Sequence, residues 1–323
     1  MTQAPPTSSA TPAGLRRFAA VAVAWCVLLL LAGANVKTRD GGLTIPDWPW
    51  MFGELVPGWD LVKAFLGPAA LRAEFVHRVI ATAMGALTVA LALWAWRSEP
   101  RRWVRRLCWA AVLLVIAQGV FGGLGVLYML EGPWPLLHST TAQIYLCLLV
   151  TIATVMSRWW HTARTRPIDG QALGLMRLSL VASGLLFVQL VLGAAARHAL
   201  LPSEVHAVFA MPVAIVLVKL VLTGAGDLPA EMTALRRPAA WIGVLLGAQV
   251  GLGLWSDLID AANQRQHVHA LHEIAVVNAH LVVGALILAL TYLLVLRTFR
   301  VYGLPTDESV ADAARHVPTP VNA

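Results

Sequence analysis

The sequence predicts an all-α integral membrane protein, eight transmembrane helices arranged as two similar four-helix bundles. Three observations carry this. The chain of 323 residues is 58% hydrophobic and 13% charged, about half the charge of an ordinary soluble domain. Its apolar residues fall in uncharged blocks close to the roughly 20 residues of helix that cross a hydrocarbon core. Three alternate blocks repeat a pattern of Gln followed by Gly, each leading through a loop to a block with a histidine near its start. No block alternates like a barrel strand, and an open sheet cannot span lipid.

The first span covers the uncharged run 18–36. It is long for a secretory signal. Gly33-Ala34-Asn35 leads into a charged, glycine-rich loop without a small-residue cleavage site, so the span reads as retained. Uncharged runs at 79–96, 107–130, 139–156 and 178–196 give the second to fifth spans, and 238–256 and 274–296 give the last two. The sixth, 205–218, reaches full length if Lys219 snorkels towards a headgroup. The resulting division is a disordered tail (1–14, rich in Pro, Ser and Thr), an N-terminal half (15–160), a linker (161–172), a C-terminal half (173–300) and a second tail (301–323).

Lys and Arg set the orientation. Arg16 and Arg17, the five arginines between 97 and 106, the four between 158 and 177, Arg236 and Arg237, and Arg297 and Arg300 place fifteen on one side. Lys37, Arg39, Lys63, Arg72, Arg78, Arg197 and Arg265 place seven on the other. The bias puts both termini in the cytoplasm. It also accounts for most of the net charge of +7, which argues against a nucleic-acid partner. Cys26, Cys108 and Cys147 lie inside spans and read as small packing residues.

Four histidines, His77, His138, His206 and His280, fall in the even-numbered spans towards the non-cytoplasmic face. An ionisable side chain within a span is costly and usually functional. Facing helices of a bundle can clamp one haem iron between two histidines, so four make two sites, one per half. The alternative is a hydrogen bond from each histidine to a neighbouring helix. Glu74, His77 and Arg78 form E-x-x-H-R. Spacing of three puts Glu74 and His77 on one face, where a carboxylate beside a ligand can take a proton. Arg78 suits a haem propionate, or simply pairs with Glu74.

The most specific stretch is the first outer loop. It carries Gly33, Val36-Lys37-Thr38, Gly42-Leu43 and Pro46-Asp47-Trp48-Pro49, closes at Gly53, and is followed by Glu74-Phe75-Val76-His77-Arg78. In this stretch, and more loosely in LLHSTTAQ (136–143), QLVLGAAARH (189–198) and NAHLVVGAL (278–286), the chain resembles the haem A synthase family over residues 15–300. The resemblance implies an eight-helix inner-membrane enzyme that oxidises the C8 methyl of haem O to a formyl, giving haem A for terminal oxidases. It implies substrate haem at His77 and His138, Glu74 as the catalytic carboxylate, and a haem b cofactor at His206 and His280 that carries electrons away. The expected partners are a haem O-producing farnesyltransferase, a membrane quinone or other electron acceptor, and the lipid bilayer. A homo-oligomer is compatible with all of this. Many relatives carry a cysteine pair flanking the PDWP segment; Ile45 and Met51 stand there in this chain, against a thiol-based step.

His272 rivals His280 as the last ligand, and the run His267–His272 offers a second metal reading. Lys37, Arg39 and Arg197 suit propionates or simple anchoring. Asp47 reads as a loop-fixing residue, His198 as interfacial, and His161 and His316 as solvated. Trp48 and Trp50 belong to an aromatic belt or stack on a porphyrin. A di-haem electron carrier would use the same four histidines, but needs neither Glu74 nor the PDWP loop. A transporter would show broken helices near the midplane, and a prenyltransferase would show paired Asp-rich motifs.

Overall fold

A computed structural model describes residues 11–54, 60–263 and 270–303. Its helices are α1 (Ala13–Thr38), α2 (Asp60–Leu66), α3 (Ala69–Ser98), α4 (Arg102–Leu127), α5 (Trp134–Met156), α6 (Arg158–Thr162), α7 (Gly170–Arg197), α8 (Ser203–Val221), α9 (Thr233–Asn263) and α10 (Leu271–Tyr302). Among the described residues there is no strand beyond one isolated bridge, Met51 to Glu54. Eight helices are long and apolar enough to cross a membrane: α1, α3, α4, α5, α7, α8 with its extension to Asp227, α9 to Ile259, and α10. The short α2 and α6 carry no apolar block long enough to register in the hydropathy pattern.

Proline sets several helix starts. Pro12, Pro68 and Pro202 sit at N-cap positions, and Pro133 and Pro135 open α5, where a missing N–H costs nothing because no intrahelical acceptor exists. Asp169 caps α7 by accepting from the Ala172 N–H at 2.7 Å. Pro212 lies inside α8 and removes one helical bond there. The same helix then loosens into a π-turn, Leu222–Asp227, which extends the span past Lys219. Gly224 in that turn lets α9 approach closely: a Cβ there would lie 2.8 Å from that of Ala239.

In contact order, α1, α3, α4 and α5 touch in a closed cycle, as do α7, α8, α9 and α10. The cycles meet where α1 and α5 touch α10 and α5 touches α7. Lipid gives helices no hydrophobic reason to associate, so close packing and polar ties must hold them. Small buried residues such as Ala19, Ala22, Ala92 and Ala111 supply the first. The second includes Trp25 Nε1 donating to the Ile80 carbonyl at 3.0 Å, and Thr88 with Tyr145 at 2.5 Å.

The N-terminal boundary differs from the sequence reading. Residues 1–10 and 304–323 of the expected tails lie outside the described residues, but α1 already begins at Ala13, and Thr11 is buried. Thr11 Oγ1 donates to Glu99 Oε2 at 2.5 Å, and Arg101 Nε donates to Glu99 Oε1 at 2.6 Å. A buried carboxylate needs these partners. Burial alone would raise the Glu99 carboxyl; hydrogen bonds from Arg101 and Thr11, and the charge of Arg101, outweigh it and hold the group below its ordinary value. A carboxyl lowered in the folded state stabilises fully above its ordinary value and loses that contribution as the pH falls through the folded one. Arg101→Ala is therefore expected to cost about 3 kcal/mol, read as a lower thermal midpoint in detergent. The gap to wild type should close in acid as Glu99 becomes neutral.

Candidate functional site

All four intramembrane histidines lie near the starts of α3, α5, α8 and α10, at the end of the bundle away from both termini. The structure brings them together in two pairs. His77 faces His138 with ring centroids 6.4 Å apart and planes at 83°. His206 faces His280 at 6.2 Å and 82°. Two imidazole nitrogens each ~2 Å from a shared metal would set ring centres about 6 Å apart, the spacing both pairs show.

Each ring packs against a glycine of the neighbouring helix. A Cβ at Gly33, Gly122, Gly193 or Gly253 would lie 3.2, 3.1, 2.8 or 3.0 Å from Cε1 of His77, His138, His206 or His280 respectively. Even the smallest side chain would press on the ring, most tightly at Gly193. In three cases the glycine stands four residues after a glutamine: Gln118 and Gly122, Gln189 and Gly193, Gln249 and Gly253. The sequence pattern Gln-x-x-x-Gly thus marks the cradle. Gly33, which follows Leu29 and not a glutamine, escapes it.

The glutamine turn also fixes the rings. His138 Nδ1 lies 3.0 Å from the Gln118 carbonyl and His206 Nδ1 3.1 Å from that of Gln189. The amides of Gln189 and Gln249 donate to Nε2 of His206 and His280 at 3.4 and 3.2 Å. For His206 both contacts require the proton on Nδ1 and leave Nε2 with its lone pair, the tautomer of a metal ligand whose orientation a carbonyl fixes. Gln189 Oε1, Gln249 Oε1, His77 Nδ1 and His280 Nδ1 are buried without partners. Such orphaned atoms are uncommon in a finished core. Among the described residues no three His, Cys, Asp or Glu side chains converge on one point, so each pair offers two ligands only. That donor set fits haem, whose macrocycle brings the other four.

The two pairs differ in what covers them. Glu74 is buried beside His77 on α3, while His206 and His280 have no carboxylate three residues before them. Glu74 Oε2 accepts from the N–H groups of Gly42, Thr44 and Ile45 at 3.0, 2.9 and 3.3 Å and from Thr44 Oγ1 at 2.6 Å. Its Oε1 pairs with Arg78 Nη2 at 2.8 Å. Arg78 also donates to the carbonyls of Ile45 (2.7 Å), Asp47 (2.7 Å) and Trp50 (3.2 Å). Both residues therefore fasten the first outer loop, and both Arg78 terminal nitrogens are engaged by the protein.

The loop is built to be held. Ile45 is fully buried in a small cluster with Ala64 of α2 and Phe75 of α3. Asp47 closes its turn by accepting from the N–H groups of Phe52 and Gly53 at 3.1 and 2.6 Å, and both those residues have positive φ. Burial alone would raise the Asp47 carboxyl; those bonds and the charge of Arg78 together outweigh it and hold the group below its ordinary value. The indole of Trp48 lies where a Cβ of Gly123 would be, next to the Gly122 cradle, so the loop reaches the wall of the His138 site.

At the junction of the two halves Arg197 Nη2 donates to the Ala34 carbonyl at 2.8 Å, Arg39 Nε to Asn35 Oδ1 at 2.9 Å, and Thr38 lies 3.0 Å from Asn278. His198 Nε2 is 3.4 Å from Ser139 Oγ. Burial, with Lys37 and Arg197 nearby, pushes the His198 imidazole down to about 4, so it is neutral at physiological pH. His161 and His272 are exposed. His267, His269 and His316 lie outside the described residues.

A family description of cytochrome oxidase assembly proteins matches residues 16–203, more than half of the chain and inclusive of Glu74, His77, Arg78 and His138. Among curated relatives, a protein named heme A synthase from Alkalihalophilus pseudofirmus is 34% identical over 104 residues, 32% of this chain and 33% of that protein. One of the same name from Halalkalibacterium halodurans is 30% identical over 131 residues, 40% and 42% of the two chains. One from Sinorhizobium medicae is 30% identical over 176 residues, 51% and 43%. The matched segments thus span between a third and somewhat over two-fifths of those relatives' lengths.

Proposed function

The chain belongs to the cytochrome oxidase assembly protein family, and from that premise we propose that it is a haem A synthase, oxidising the C8 methyl of haem O to a formyl. The carrying observation is an asymmetry: two facing histidine pairs of nearly equal geometry, of which, among the described residues, only one has a buried carboxylate and a fastened loop beside it. That pair, His77 and His138, is the substrate site. His206 and His280 would hold haem b, which would supply reversible one-electron chemistry there.

The chain's own residues do the remaining work. His77 and His138 orient the substrate ring so that its methyl edge is presented to one place. The loop 42–53, held by Glu74 and Arg78, excludes water from that place. Glu74 is the buried carboxylate beside His77, whereas the carboxylate nearest the other pair, Asp257, is exposed. Glu74 holds the loop while its oxygens accept the donors of Gly42, Thr44 and Ile45, and takes a proton when Oε2 is released from them. We place the protein in a bacterial inner membrane with both termini cytoplasmic, in keeping with the arginine bias. A haem O-producing farnesyltransferase would supply its substrate, and a membrane quinone would accept its electrons.

A specific observation favours a second reading, a di-haem electron carrier: every Glu74 oxygen is already occupied by the protein. Haem extraction and chromatography after co-expression with a haem O-producing enzyme separates the two. Wild type should yield haem A, and Glu74→Ala should accumulate haem O or a hydroxylated intermediate with at least about a hundredfold less haem A. Unmodified haem b from both proteins would favour the carrier and end the synthase reading.

A further inference from the structure

Away from the histidine pairs, a cavity of about 360 Å3 lies between α7 and the later part of α8, reached by Gln171, Arg177, Lys219 and Thr223. We propose that it binds the phosphodiester headgroup of an anionic phospholipid. None of the four side chains has a hydrogen-bond or ion-pair partner among the described residues. Three other arginines on the same end are held by the protein: Arg101 by Glu99, Arg297 by the Ala234 carbonyl, Arg300 by that of Trp160. Two unpaired cations sharing one cavity are an invitation to an anion.

Their depth identifies the anion as lipid-borne. Helix α7 begins at Gly170, so Arg177 lies about 10 Å along its axis, and Lys219 stands within the apolar run of α8. Both are exposed near the ends of helices long and apolar enough to cross a membrane, where Lys and Arg side chains reach towards the headgroups. Basic pockets between spans at this level take acidic headgroups. Gly174 leaves the floor open, since a Cβ there would meet nothing within 4 Å. Leu178 and Val181 continue the wall deeper into the membrane, where acyl chains would lie. Thr223 enters from the π-turn, a distortion often found at functional sites.

The test is native mass spectrometry of the full chain released from nanodiscs of mixed phosphatidylglycerol and phosphatidylcholine. Wild type should retain phosphatidylglycerol in excess, and Arg177→Gln with Lys219→Gln should retain about tenfold less. Lys219→Arg, which keeps the charge, and Arg106→Gln, which removes one elsewhere on the same end, should both behave as wild type. Equal retention of both lipids by wild type would overturn the proposal. So would undiminished phosphatidylglycerol on the double variant, an equal loss in Arg106→Gln, or displacement of the lipid by millimolar inorganic phosphate, which would assign the cavity to a free anion.

Discussion

Gly193→Val should deplete the C-terminal haem at least tenfold while the chain still inserts and the N-terminal pair still loads. An ideal Cβ at Gly193 sits 2.8 Å from His206 Cε1 and 3.1 Å from Nδ1. The obstacle is a ring held from both sides by Gln189, through its carbonyl at 3.1 Å and its amide. Valine must push the ring off that carbonyl or push α8 away from α7. Overpacking of this kind costs about 1–3 kcal/mol, and loss of a ligand's orienting hydrogen bond lowers metal affinity about 10- to 100-fold. Gly251→Val is the control: it lies in the same family of small residues on α9, but a Cβ there meets nothing within 4 Å, so haem content should not change. The measurement is haem stoichiometry by pyridine haemochromogen on both variants. Full haem on Gly193→Val would mean that the cradle does not set the ring.

That cradle shows where the sequence is legible and where it is not. The eight spans follow from composition alone, because lipid admits no other use for so many uncharged blocks. The four histidines stand out because a titratable group in such a block is conspicuous. Partner choice was harder to read. It depends on which helices touch, and α3 meets α4 and α1 while α10 meets α9, α7, α1 and α5, a pattern no single block carries. The Gln-x-x-x-Gly spacing was visible, but its meaning needs the neighbouring ring. The role of Glu74 was half visible: spacing put it beside His77, whereas its grip on Gly42, Thr44 and Ile45 comes from residues about thirty positions away. Arg78 is legible only in part in the same way. A cation beside a haem ligand suggests a propionate, yet three loop carbonyls and Glu74 engage it first.

His280→Ala should remove the C-terminal haem's six-coordinate signature almost completely, and His272→Ala should leave it intact. Both histidines belong to α10, two turns apart, and the sequence alone left them as rivals. Their surroundings differ. His280 is inside the span, 6.2 Å from His206 between ring centres, packed on Gly253 so that a Cβ there would lie 3.0 Å from its Cε1, and with the Gln249 amide 3.2 Å from Nε2. His272 is exposed in the first turn of the helix, where water can satisfy it and nothing orients it. A ligand held in place before the metal arrives loses little freedom on binding, whereas an exposed side chain two turns away would have to unwind the start of α10, including the 2.8 Å hydrogen bond that the Ala270 N–H donates to Glu273 Oε2. Reduced-minus-oxidised spectra of the two variants decide it. Loss of the C-terminal haem's share of the low-spin band in His280→Ala, with His206→Ala indistinguishable from it, is the signature of one iron shared by two imidazoles. Survival of the band in His280→Ala and its loss in His272→Ala would move the last ligand to the edge of the membrane, and would require α10 to shift by about two turns, roughly 11 Å, relative to the helices it now packs against.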